Sequence, residues 1–185
     1  MATIRGPRLS LRTPRPDDAD ALFELGRDPE VVRFFSWGPY RERDEAAAFI
    51  DRARAERPHE FFIVGPDDRP IGLTGLTELS ERDRRAVVGT WLGREHWGTG
   101  ANRESKELIL HYAFAVLELQ RVSAYAHPDN TRSLRALERL GFVREGTLRH
   151  WHVHRGDPRD VVILGLLREE WERGPLAAVG IRVVG

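Results

Sequence analysis

The stretch "HWGTGANRES", residues 96 to 105, constrains this chain more than any other. Two glycines one residue apart follow the apolar run "AVVGTWLG" and precede the amphipathic run "KELILHYAFAVLEL". A strand, a glycine turn and a helix start in that order form a cradle for an anion. Glycine reaches positive φ and lets a ligand approach the backbone, and the free N–H groups of the helix start point at it. Gly98, Gly100 and the amides up to Arg103 are the candidate donors. A turn that merely joins strand to helix is the plain alternative. Neither common phosphate frame fits. Arg103 stands where a dinucleotide fingerprint needs its third glycine, and no Gly-Lys-Ser/Thr follows. A phosphate held here needs another fold.

The flanking pattern predicts that fold's class. "RLSLRT" (8–13) alternates as a strand, and "RPDDADALFELGRD" reads as a helix with Pro16 in its first turn and Gly26 as its stop. Residues 42–56 form a second helix. "EFFIVG" and "PIGLTGLTEL" make a hairpin around "PDDRP", and 84–93 is the next strand. A long helix over 101–118, a short strand over 121–127 and a helix over 129–142 follow. That last helix is capped by Asp129 or Asn130 and stopped by Gly141. "FVREGTLRHWHVHR" and "RDVVILGLL" close the chain as a hairpin, with a last helical turn at "REEWERG". The tail, 173–185, is apolar and is expected to add an edge strand or a partner contact. The order predicts an α+β fold with a mixed sheet, not regular β-α alternation.

Composition narrows the function. The chain has 185 residues, enough for one domain, with 29 basic and 29 acidic side chains. Zero net charge argues against a dedicated nucleic-acid binder. No run approaches the ~20 apolar residues of a membrane span, and the N-terminus lacks the apolar core of a signal peptide. Cysteine is absent, which removes disulfides, thiolate metal sites and a cysteine nucleophile. A cytoplasmic protein is the expectation. Lys106 is the only lysine, so there is almost no candidate for Schiff-base chemistry.

"WGTGANRES", then "HPDNTRSLRALERLGFVREG" and "DVVILGLLREEW", resemble the GNAT superfamily of acyl-CoA-dependent N-acetyltransferases. With "RLSLRTPRPDDADALFEL" at the N-terminus, the chain is most similar to the ribosomal-protein alanine N-acetyltransferase (RimJ/RimL) type. The resemblance covers about residues 8 to 172. It implies a single acyl-CoA N-acyltransferase domain over 1–185, a three-layer fold with a mostly antiparallel central sheet flanked by helices, and acetyl-CoA as co-substrate.

The resemblance further implies where acetyl-CoA sits. Its pyrophosphate falls on the backbone of Gly98, Thr99, Gly100, Ala101, Asn102 and Arg103. Its pantetheine arm pairs near Trp91, Leu92 and Gly93, in the gap beside the 121–127 strand. Asn130 faces that arm, and Ser133 matches the serine near the thioester sulfur. The family loop often carries Gln or Arg three residues before its first glycine. Glu95 stands there instead, with Arg94 adjacent.

Acetyl transfer to an amine needs a neutral amine, donors for the oxyanion and a proton or hydrogen bond for the leaving thiolate. Ser133 is the candidate for the last role, against a serine that faces solvent or bonds back to a helix carbonyl. Tyr125 is a second candidate, read first as a core residue. Many superfamily members carry a glutamate on the strand before the loop; residues 86–92 hold no carboxylate. His152 is the candidate base, since imidazole as a side-chain type can take a proton at neutral pH. Glu78 is the alternative, as base or as a ligand for the substrate ammonium. His150, His152 and His154 alternate and would share one strand face. Three histidines could hold zinc, but no carboxylate or fourth ligand is evident and the family needs no metal. Phe34, Phe35, Trp37 and Tyr40 lie in a segment that walls the acceptor pocket in this fold.

The leading expectation is an enzyme that moves acetyl from CoA to a primary amine, on a protein N-terminus or a small molecule, by direct attack in a ternary complex. A homodimer is compatible with the apolar tail. A non-catalytic acyl-CoA-binding domain, and a dimerising domain with an incidental glycine turn, are the alternatives.

Overall fold

The computed structural model describes residues 3–154, 156–178 and 181–184. Nine strands form one sheet in the order β7-β8-β6-β5-β4-β3-β2-β1-β9. They are β1 (Thr3–Arg5), β2 (Ser10–Arg12), β3 (Glu60–Val64), β4 (Pro70–Ser80), β5 (Arg85–Leu92), β6 (Arg121–Ala126), β7 (Val143–His154), β8 (Asp157–Leu167) and β9 (Arg182–Val184). The helices are α1 (Ala19–Gly26), α2 (Arg43–Glu56), α3 (Ala101–His111), α4 (Thr131–Arg139) and α5 (Arg168–Arg173). α3 runs on into a π-helical turn, Tyr112–Val116. The chain is α+β with a mixed, mostly antiparallel sheet, as expected; β5 and β6 are its parallel pair. The tail supplies β9, which pairs with β1 at the sheet edge.

Strand alternation splits the core between two faces. Phe61 and Ile63 of β3 join Leu108, Ile109, Leu134, Leu137 and Leu164 on the face covered by α3 and α4. Phe62 and Val64 turn the other way, to Leu22, Ala46 and Ile50 of α1 and α2. Three layers result.

The feature that creates the site is a break in the sheet. β5 and β6 keep register over Arg85↔Arg121, Ala86↔Val122 and Val87↔Ser123 only. Beyond that, β5 continues beside β4 to Leu92 and β6 beside β8 to Ala126. The sheet opens as a V whose arms begin at Val88 and Ala124.

α1 ends at Gly26, as expected. A Cβ there would meet the Tyr40 ring at 2.5 Å, so glycine is required by the close approach of that ring. One local expectation is corrected. The three histidines of β7 do not share a face. The β7–β8 register shifts between Leu148 and His152, and His150 sits in the bulge at φ 52°, which breaks the alternation.

Candidate active site

Two clefts meet in the V. The larger, of about 870 Å³, is lined by Val88, Gly89 and Thr90 on one arm, by Ala124, Tyr125 and Ala126 on the other, and by Phe34, Phe35 and Trp37. His152 and His154 reach it from β7. The smaller, of about 410 Å³, runs from Thr90, Trp91 and Leu92 past Trp97 to Gly98, Gly100, Asn102 and Arg103, with α4 as its other wall.

The glycine loop is built to leave donors free. Gly98 has φ 77° and Gly100 φ 88°, a region costly for other residues. Nothing lies within 4 Å of where a Gly98 Cβ would be, so the loop opens onto the cleft. Thr99 and Ala101 turn inward: Thr99 Oγ1 donates to the His96 carbonyl at 2.8 Å and accepts from the Ala101 N–H at 3.3 Å. The first helical bond runs from the Glu104 N–H to the Gly100 carbonyl at 3.1 Å. Among the described residues the Asn102 and Arg103 N–H groups have no acceptor, as expected for the first turn of a helix.

The loop is held from behind by Glu104. Its buried carboxylate accepts from the Arg8 and Leu9 N–H groups at 2.7 and 2.9 Å and from Arg8 Nε at 2.8 Å. This ties α3 to the start of β2.

Strand alternation decides which backbone groups face the gap. The Gly93 N–H donates to the Ile71 carbonyl at 3.0 Å, and the Gly89 carbonyl accepts from Thr74 Oγ1 at 3.0 Å. Odd-numbered positions of β5 therefore bond toward β4, and Val88, Thr90 and Leu92 present their groups to the open side. Trp91 and Leu92 line the smaller cleft; Gly93 does not. The Leu92 carbonyl accepts from the Trp97 indole N–H at 2.9 Å.

α4 brings its N-terminus to the junction. Asn130 caps it, accepting from the Ser133 N–H at 3.1 Å, and both residues line both clefts. The Ser133 hydroxyl bonds to no described residue and is half-exposed to the junction. Tyr125 stands on the cleft surface rather than in the core. Its hydroxyl donates to Glu78 Oε2 at 3.4 Å, and burial, then this carboxylate, raise its pKa. Glu78 sits in a β4 bulge at φ 49°, exposed and outside both cleft linings. Among the described residues, no group of three or more His, Cys, Asp or Glu side chains is placed to hold a metal ion.

The cations fall elsewhere than at the loop's entry. Arg94 pairs with Asp28 at 3.0 Å, and Glu95 with His96 at 3.4 Å. Arg103 pairs with Glu107 at 2.8 Å while lining the smaller cleft. Arg132 and Arg139 of α4, not anticipated from sequence, line that cleft too. Arg132 lies 3.6 Å over the Trp97 ring, and burial lowers its pKa. The signal was present: Arg132, Ala136, Arg139 and Leu140 follow helical spacing on the face beside the Leu134–Leu137 stripe. Lys106 was also missed as a site residue; it lines both clefts.

The parted sheet thus joins a glycine-opened helix start at one end to a polar cleft at the other. Residues 8–143 match the family model described as "Acetyltransferase (GNAT) domain", and the chain belongs to that family. Protein p20 of Bacillus licheniformis, named an uncharacterized N-acetyltransferase, is 34% identical over 92% of this chain and 99% of its own. A crystal structure of a GCN5-related N-acetyltransferase from Brucella melitensis matches at TM-score 0.85 and 24% identity, over 95% of this chain and 81% of that one. Spermidine N-acetyltransferase from Vibrio cholerae, solved with CoA and spermine, matches at TM-score 0.77 and 24% identity, over 88% and 97%. The protein is an acetyl-CoA-dependent N-acetyltransferase.

Proposed function

We propose that acetyl-CoA occupies the smaller cleft and a primary amine enters through the larger one, the two meeting beside Ser133 for direct attack. The observation that carries this reading is the pair of clefts sharing one junction at the mouth of the V. The pyrophosphate rests on the open backbone of Gly98 and Gly100 and the free amides of Asn102 and Arg103, with Arg132 and Arg139 supplying the cationic wall that Glu95 does not. The pantetheine pairs with the open-side groups of Thr90 and Val88 rather than with Gly93, whose N–H is committed to Ile71. Ser133 hydrogen-bonds the leaving thiolate, and His152 takes the amine's proton, directly or through water.

The acceptor is a protein N-terminal amine, as in the RimJ/RimL type, rather than a polyamine. The larger cleft carries Asp129, Asp157 and Asp160 but also Arg33 and Arg159. Asp157 pairs with Arg159 at 3.5 Å, and Asp160 accepts from the His150 N–H at 2.9 Å. Few carboxylates remain for a chain of ammonium groups, and electrostatic complementarity selects partners. The cysteine-free composition fits a cytoplasmic enzyme, and no helix of the described residues is long and apolar enough to cross a membrane.

The test is CoA release from acetyl-CoA with N-terminally free peptides and, separately, with spermidine. Peptides are expected to be turned over and spermidine to lag by at least about tenfold. The reverse order overturns the acceptor assignment. Ser133→Ala is expected to lower kcat about a hundredfold with little change in acetyl-CoA affinity.

A further inference from the structure

The chain's one lysine is a buried cation for which neither the fold nor the reaction so far described has a use. Lys106 is 6% exposed, one and a half turns into α3 from the glycine loop. Burial alone drives its pKa down to about 8, with no charged neighbour contributing. An ammonium so far withdrawn from water is disfavoured, and this one borders two open clefts rather than a closed core, where a bound anion can reach it. Its position says which. Six residues line both clefts, namely Phe34, Phe35, Thr90, Lys106, Asn130 and Ser133. Lys106 is the one ionisable group among them. From other elements the clefts are lined by the carboxylates of Glu30, Asp129, Asp157 and Asp160, by Arg33, Arg132, Arg139 and Arg159, and by the titratable rings of Tyr125, His127, His152 and His154; on α3 itself, Arg103 is paired with Glu107.

We propose that Lys106 is a further catalytic residue of the acetyl transfer, its ammonium meeting the sulfur of the leaving thiolate at the junction and returning a proton to it. The proposal rests on the placement of acetyl-CoA given above. The acceptor nitrogen forms a bond to the acetyl carbonyl carbon, and the carbon–sulfur bond breaks with its electron pair on sulfur. A proton passes from Nζ to sulfur, leaving CoA thiol and neutral lysine. The acceptor nitrogen gives up one proton to His152 or water, Lys106 regains one from solvent, and nothing is oxidised or reduced. Ser133 then orients the sulfur, while Lys106 supplies charge and proton. A thiolate beside it favours the ammonium form, so the lysine is charged when the charge is needed.

The test uses CoA and desulfo-CoA, its thiol-free analogue, on the wild type, Lys106→Met and Lys106→Arg. Calorimetry first establishes that each binds CoA; the absence of binding to the wild type overturns the acetyl-CoA placement itself, and the proposal with it. Ultraviolet thiolate absorbance of the CoA complex, minus that of the desulfo-CoA complex, then gives the thiolate fraction against pH. Lys106→Met is expected to bind CoA within about threefold of wild type but to show at least about tenfold less bound thiolate at neutral pH, with partial recovery in Lys106→Arg. Equal thiolate in wild type and Lys106→Met overturns the proposal. A measurement without variants is available because one lysine gives one ¹⁵Nζ resonance. Its titration midpoint is expected to be higher with CoA than with desulfo-CoA; equal midpoints overturn the proposal as firmly.

Discussion

At the scale of single residues, the site is made by side chains that the fold alone would not choose. Lys106 has a definite consequence for stability. Its pKa is lowered from 10.5 to about 8 by burial. Below pH 8 both folded and unfolded chains hold the proton, and the folded state carries the whole cost of burying the charge. Between about 8 and 10.5 the unfolded chain still binds the proton that the folded one has released. Stability contributed by this group therefore rises with pH across that window. The span corresponds to about 3 kcal/mol. Lys106→Met is expected to be more stable than wild type at pH 7 by up to about 3 kcal/mol, a gain that shrinks toward pH 10.5. Chemical denaturation of both proteins at several pH values checks this, and a difference independent of pH would contradict it. A residue that costs stability at neutral pH, in a cleft, is one whose retention function explains.

At the scale of elements, the glycine loop works because its neighbours hold it in place. Glu104 fixes α3 to the start of β2 through two backbone N–H groups and Arg8 Nε. Glu104→Ala leaves the buried Leu9 N–H without a partner, at a cost of about 2–3 kcal/mol, or roughly 4–12 °C in Tm for a chain of this size. It also frees the loop to move, so the KM for acetyl-CoA is expected to rise severalfold while kcat at saturation changes little. Melting curves and steady-state kinetics separate the two effects, and an unchanged KM would remove the loop's support as a reason for the contact. The loop itself was legible in sequence because its two positive-φ positions demand glycine and its place between strand and helix is written in the apolar pattern. The hairpins were legible in their alternating apolar runs and the turns between them; the tail strand was one of two readings that its apolar run left open. Gly26 was legible as the end of α1 but not as a place that must be glycine, because that requirement comes from Tyr40, fourteen positions away, and not from its own φ. Nor was the bulge at His150, which is set by β7–β8 register. The α4 arginines escaped notice because a stripe of arginine beside a leucine face reads as solvated surface until the opposite wall of the cleft is known.

At the scale of the whole molecule, the sheet is one sheet by connectivity and two by mechanics. β7, β8 and β6 form one block and the strands from β5 to β9 the other, joined across three parallel register pairs. The groups on the open sides of Thr90 and Tyr125 have no strand to pair with. Such a molecule gains more from its ligand than added contacts alone would suggest, because the ligand replaces the missing ladder between the blocks. A ligand that binds only the native state stabilises by RT ln(1 + [L]/Kd), about 2.7 kcal/mol at a hundredfold excess over Kd, which corresponds to roughly 5–11 °C in Tm. Acetyl-CoA and CoA are expected to give that rise and NAD a much smaller one, since NAD carries a nicotinamide riboside in place of the amide-bearing pantetheine that would pair along the V. Hydrogen exchange carries the argument further. On binding acetyl-CoA, the amides of Val88, Thr90 and residues 124–126 are expected to slow, along with Asn102 and Arg103, whereas the β1–β9 edge is unaffected. Slowing confined to the glycine loop would mean that the pyrophosphate is held but the V is not bridged, and the thioester would then have to lie outside the junction that Ser133 and Lys106 line.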